Sequence, residues 1–101
     1  MPLAKILYSG FYDAPLAFIT SHRETQYLFW RGFFDEQLDD YPNEYKVFVL
    51  PNLSEEQINE SWMSLPEKAV SYVGEVSMGR VAFDPTRREF IDTSTFDLIE
   101  R

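Results

Sequence analysis

The chain contains no cysteine and one histidine, His22. Disulfides, thiolate zinc sites and cysteine nucleophiles are therefore excluded, and any metal would need oxygen ligands. Glycine and proline number four and six in 101 residues and never gather into a run, so no linker or low-complexity stretch is present. Long apolar runs are missing too. The opening "MPLAKILYSGFYDAPL" is cut by Ser9, Gly10 and Asp13, which fits neither a secretory leader nor a membrane span, and a cytoplasmic location is expected. Positive charge is also scarce: nine basic residues against seventeen acidic give a net charge of -8. Such a field repels phosphate backbones and attracts cationic surfaces, so direct nucleic-acid binding is disfavoured and a basic protein surface is the favoured kind of partner.

Aromatic residues, at 17%, are plentiful, and large rings bury much area for each residue ordered. The length suits a single domain spanning residues 1–101. Residues 3–9 read as a first strand, and "FYDAPL" as a turn with Asp13 and Pro15 as its punctuation. Residues 16–22 and 25–34 form a hairpin across the polar "HRET". In the second arm Tyr27, Phe29, Arg31 and Phe33 alternate with Leu28, Trp30, Gly32 and Phe34. Both faces of that strand are apolar, which predicts a central strand covered on two sides. "YKVFVLP", residues 45–51, returns as a fourth strand.

The clearest local signal follows. Ser54 with Gln57 three residues on makes a capping box, Leu53 and Ile58 stand at the staple positions, and Glu55 and Glu56 sit where carboxylates favour the helix dipole. A helix starts there, with Ile58 and Trp62 on one face. Ser64 and Glu67 repeat the capping pattern around Pro66. Residues 74–83 and 88–99 read as a last pair of strands joined at Asp84-Pro85. The expectation is an α+β fold: a mainly antiparallel sheet of about six strands, with one or two short helices inserted between strands 4 and 5. Its edges permit a homodimer through strand pairing.

Between Arg31 and Lys46 the segment "GFFDEQLDDYPNEY" sets Asp35, Glu36, Asp39, Asp40 and Glu44 among aromatic rings with no base inside. Helical spacing would stack like charges, which favours a loop. The calcium-loop pattern of alternating acids, glycine and a distant glutamate is absent, so neither metal nor cofactor is expected. Phe33, Phe34 and Tyr41 inside that acidic rim suit a contact surface for a basic partner, with the carboxylates steering and the rings burying. Against this stands the plain alternative of a solvated loop.

His22 beside Ser21 and Thr20 has no nucleophile elbow and reads as an exposed turn residue. Arg80, Arg87 and Arg88 gather on the last hairpin, where guanidinium groups suit a phosphate or other anion. With Trp62 and Tyr72 near the sheet and helix, they form the candidate ligand-binding set of a second reading, a small-molecule or nucleotide-binding domain. Trp30 and Trp62 are expected in the core.

"FYDAPLAF", "YLFW", "YKVFVLPNLSEEQI" and "SLPEKA" together resemble a small bacterial domain family of unknown function over residues 8–73. The resemblance implies a mostly β domain with one helix and transfers no site residue. Without a catalytic constellation, the sequence favours a non-enzymatic acidic interaction module of the immunity-protein, antitoxin or phage-inhibitor type.

Overall fold

Alternating apolar residues on successive segments build an antiparallel sheet buried on both faces. The structure, a computed structural model, describes residues 3–12, 14–31, 37, 43–83 and 89–99. Its strands are β1 (Leu3–Lys5), β2 (Leu7–Tyr12), β3 (Ala14–His22), β4 (Thr25–Trp30), β5 (Glu44–Leu50), β6 (Ser71–Ser77) and β7 (Phe90–Asp92). Strands β2-β3-β4-β5-β6 form one sheet in chain order, and β1 pairs with β7 in a separate two-stranded ribbon. All of these pairings are antiparallel. Two short helices, α1 (Glu55–Glu60) and α2 (Leu65–Lys68), fall between β5 and β6. Mostly antiparallel sheet with few short helices is compatible with the α+β expectation, and no described helix is long and apolar enough to cross a membrane.

The central position expected for the strand at 25–34 is occupied by β4, whose period-two pattern feeds both cores. Phe29 joins Phe18, Tyr45, Val47 and Val76 on one face, closed by Ile6, Val81, Ile91 and Phe96 from the flanking ribbon and turns. Leu28 joins Ala17, Ile19 and Leu50 on the other, closed by Ile58 and Leu65 of the two helices. Trp30 and Trp62 are partly buried against this second core. Phe18 and Phe29 stack with ring centroids 4.5 Å apart, and Tyr45 meets Phe18 edge-on at 5.2 Å, the offset and T-shaped geometries that aromatic quadrupoles favour.

Tyr45 is fully buried, and its hydroxyl donates to the Pro15 carbonyl at 2.6 Å. Burial drives the phenol well above its ordinary pKa, and the nearby Arg31 guanidinium offsets part of that rise. The bond spans two strands, because β4 lies between β3 and β5.

Several boundaries differ from the sequence reading. The first strand is broken at Ile6, whose N–H donates to the Glu89 carbonyl at 2.7 Å while its side chain enters the first core. The chain thereby changes sheets. Of the segment expected as strand at 88–99, the described residues 89–99 are strand only over Phe90–Asp92, because the Asp92 carboxylate accepts from the Ser94 N–H at 2.9 Å and turns the chain into 3-10 helix. The strand expected at 74–83 runs instead over Ser71–Ser77 and gives way to a 3-10 turn at Met78–Arg80. The capping box at Ser54 and Gln57 forms in full. The one at Ser64 does not, since that hydroxyl donates to the Ser61 carbonyl at 3.1 Å instead. His22, expected as an exposed turn residue, is only partly exposed and stacks on Phe96 at 4.1 Å. The turn at Asp84-Pro85 lies outside the described residues.

The β3–β4 hairpin closes through Arg23 and Glu24 at φ 51° and 67°. Positive φ at both central positions is what the hairpin twist demands, and residues with a Cβ resist it. Glu24→Gly is expected to stabilise the fold by about 1 kcal/mol, read as a higher denaturation midpoint at unchanged slope. Tyr45→Phe keeps the ring but strands the Pro15 carbonyl, so a loss of about 1–3 kcal/mol is expected in the same measurement.

Candidate functional site

The acidic segment leaves the sheet at the end of β4 and returns at the start of β5, and both ends are pinned. Arg31 is buried and its backbone N–H donates to the Leu16 carbonyl at 2.9 Å. The Asn43 carbonyl accepts from the Met78 N–H at 2.8 Å, which holds the return against the far end of β6. Phe33, Phe34, Asp35, Glu36, Asp39, Asp40 and Tyr41 lie outside the described residues, as do Arg87 and Arg88. Glu44 is described: it is the exposed first residue of β5.

Glu44 does not stand alone. In the β5–β6 register Glu44 faces Ser77 and Lys46 faces Glu75, so the two glutamates are diagonal neighbours on one face. A hydrogen bond with Glu75, then the negative charge of Glu75, then slight burial raise the Glu44 carboxyl above its ordinary pKa. Tyr72 completes the group. Its hydroxyl is raised first by desolvation, then by the charge of Glu75 and a hydrogen bond with it, and last by the charge of Glu44.

A bulge delivers Tyr72 to this place. The register jumps between Val47 and Phe48, which leaves Val73 without a partner in the ladder. Gly74 beside it adopts φ +150°, and a Cβ there would meet nothing within 4 Å, so the need for glycine is conformational. Past the bulge Tyr72 lies opposite Phe48, ring centroids 5.3 Å apart, yet remains 53% exposed. Val73 is exposed on the same edge strand, and Val70 is exposed just before the strand begins. The result is an acidic and aromatic patch, relieved by Lys46, at the mouth of the segment 32–42. Such a patch can pair with lysine or arginine and cover apolar surface.

The described members of the second set, Trp62, Tyr72 and Arg80, lie on three different elements. Trp62 donates its indole N–H to the Asn59 side-chain oxygen at 3.1 Å and packs on the second core. Arg80 is exposed in the 3-10 turn after β6. Among the described residues no group of three His, Asp or Glu side chains is arranged to hold a metal ion.

Glu75 and the exposed valines escaped the sequence reading. An acid in "SYVGEVS" was visible, but its approach to Glu44 depends on cross-strand register, and the strand was expected to begin only at Gly74. No family model, curated protein or solved structure matches this chain.

Because the folded protein holds the Glu44 proton more tightly than the unfolded chain does, charging the pair opposes folding as pH rises from the ordinary carboxylate range through the raised value. Glu75→Gln is therefore expected to raise the melting temperature at neutral pH, with the gain vanishing below about pH 4, where both states carry the proton.

Proposed function

We propose that this chain is a non-enzymatic acidic interaction module that covers a basic surface of a protein partner, in the manner of an immunity protein, an antitoxin or a phage-borne inhibitor. The observation that carries the reading is the diagonal Glu44–Glu75 pair with half-exposed Tyr72, set where the acidic segment meets the sheet. Two carboxylates held close enough to repel one another gain from an arriving cation, because it relieves the repulsion as it binds. The Tyr72 ring and exposed Val73, next along the strand toward that charge, supply the apolar area that a salt-screened ion pair lacks. The net charge of -8 adds long-range steering toward the same kind of partner.

In this proposal Asp35, Glu36, Asp39, Asp40 and Glu44 attract and pair, and Phe33, Phe34 and Tyr41 bury, with Glu75 and Tyr72 extending the surface onto the sheet. The edge strand β6 also makes a second copy of the chain a geometric candidate. Yet pairing two copies would bring together two chains of net charge -8, and a cationic partner suits the patch better.

The test uses a partner captured from the native host and then purified. Glu44→Lys combined with Glu75→Lys should slow association at least about tenfold at low salt and change it little at high salt, because exposed charges are screened within a Debye length. Stopped-flow rates for the variant and the parent that agree at both ionic strengths would reject the reading.

A further inference from the structure

At the other end of the sheet, near the β3–β4 turn, an open cleft of about 410 Å³ lies between β1, the outer edge of β3 and the start of α1. Its volume falls in the ordinary range of small-ligand sites, roughly 300–1,000 Å³. Its origin is the break at Ile6. The β2–β3 ladder ends at Leu7 opposite Ile19, and continuing it would set Lys5 opposite Ser21. Instead Lys5 pairs with Phe90 in the other ribbon. At Thr20 and Ser21 the outer edge of β3 therefore has no ladder partner among the described residues, although β1 stays close to it. Across the gap the Thr20 hydroxyl donates to the Lys5 carbonyl in a long bond of 3.4 Å.

The opposite wall is held firmly. Gln26 donates to the Leu53 carbonyl at 3.0 Å and accepts from the Leu53 N–H at 3.1 Å, so one side-chain amide ties down the backbone leading into α1. Leu7, Ile19 and Ile58 give the cleft an apolar lining, while Lys5 and Glu55, both exposed, bring opposite charges to it. An unpaired strand edge presents main-chain donors and acceptors at the spacing of another peptide backbone, and apolar pockets beside it select side chains. A lysine and a glutamate on the same cleft match the two termini of a short peptide.

We propose that this cleft binds a zwitterionic, apolar dipeptide, with its backbone along β3 at Thr20 and Ser21, its carboxylate at Lys5, its ammonium at Glu55 and its side chains over Leu7, Ile19 and Ile58. The site is remote from the Glu44–Glu75 patch, being at the Gln26 end of β4 rather than the Trp30 end, and it does not rest on the interaction reading.

Leucylleucine titrated into the isotope-labelled full chain tests the proposal. The expected result is saturable shifts of the Thr20, Ser21 and Ile58 amide resonances. Capping both ends as the N-acetyl amide should weaken binding at least about fivefold, as should Lys5→Ala or Glu55→Ala, each removing one charge-assisted contact at an exposed position. Three outcomes would overturn it: no shifts at about 10 mM, a concentration that registers even a Kd near 1 mM; shifts confined to other residues; or equal affinity for the capped peptide.

Discussion

The fold turns on a phenol buried in the middle of a sheet. Tyr45 lies fully inside the first core, where its hydroxyl must find a partner or cost the fold a desolvated polar group. It finds the Pro15 carbonyl, two strands away. That requirement couples the start of β3 to the start of β5 across β4, and it fixes the positions from which the acidic segment leaves and to which it returns. Phe18 and Phe29 stack beneath the same ring, and the buried Arg31 guanidinium lies close enough to Tyr45 to affect its titration. Cooperative packing of this kind resists local adjustment, because interiors are close-packed and a displaced ring would open a void.

The two faces of the sheet are closed differently, and the difference places the functional surfaces. One face is sealed by the β1–β7 ribbon and the C-terminal 3-10 turn. The other is covered by two helices of six and four residues, too short to reach the whole sheet. Lys46, Glu75, Glu44 and Tyr72 remain in water at the uncovered corner. An exposed edge strand invites pairing with other chains, and β6 carries two of the usual deterrents, a bulge at Val73 and a charge at Glu75. What discourages indiscriminate pairing there also concentrates negative charge beside apolar surface.

The switch of sheets at Ile6 has the opposite effect. By turning from β3 to β7, the chain closes the first core with Ile6 and Ile91 while leaving part of the β3 edge open. A gain in core burial thus produces an open cleft with an apolar lining and charges of both signs.

Much of this architecture was legible in local sequence. The alternation in "TQYLFW" fixed β4 as doubly covered, Ser54 and Gln57 fixed the start of α1, and "HRET" fixed the hairpin, because each depends on residues within a few positions of one another. The scarcity of cysteine and histidine and the excess of acid determined which chemistries were open to the chain. Only the tertiary structure decided the rest. It set Glu75 diagonal to Glu44 and Tyr72 over Phe48 through a one-residue bulge, it stacked His22 on Phe96, and it broke the first strand at Ile6. Each of these joins residues distant in sequence. Register and burial arise from the packing of the whole sheet, whereas caps and alternation arise from the chain's own period.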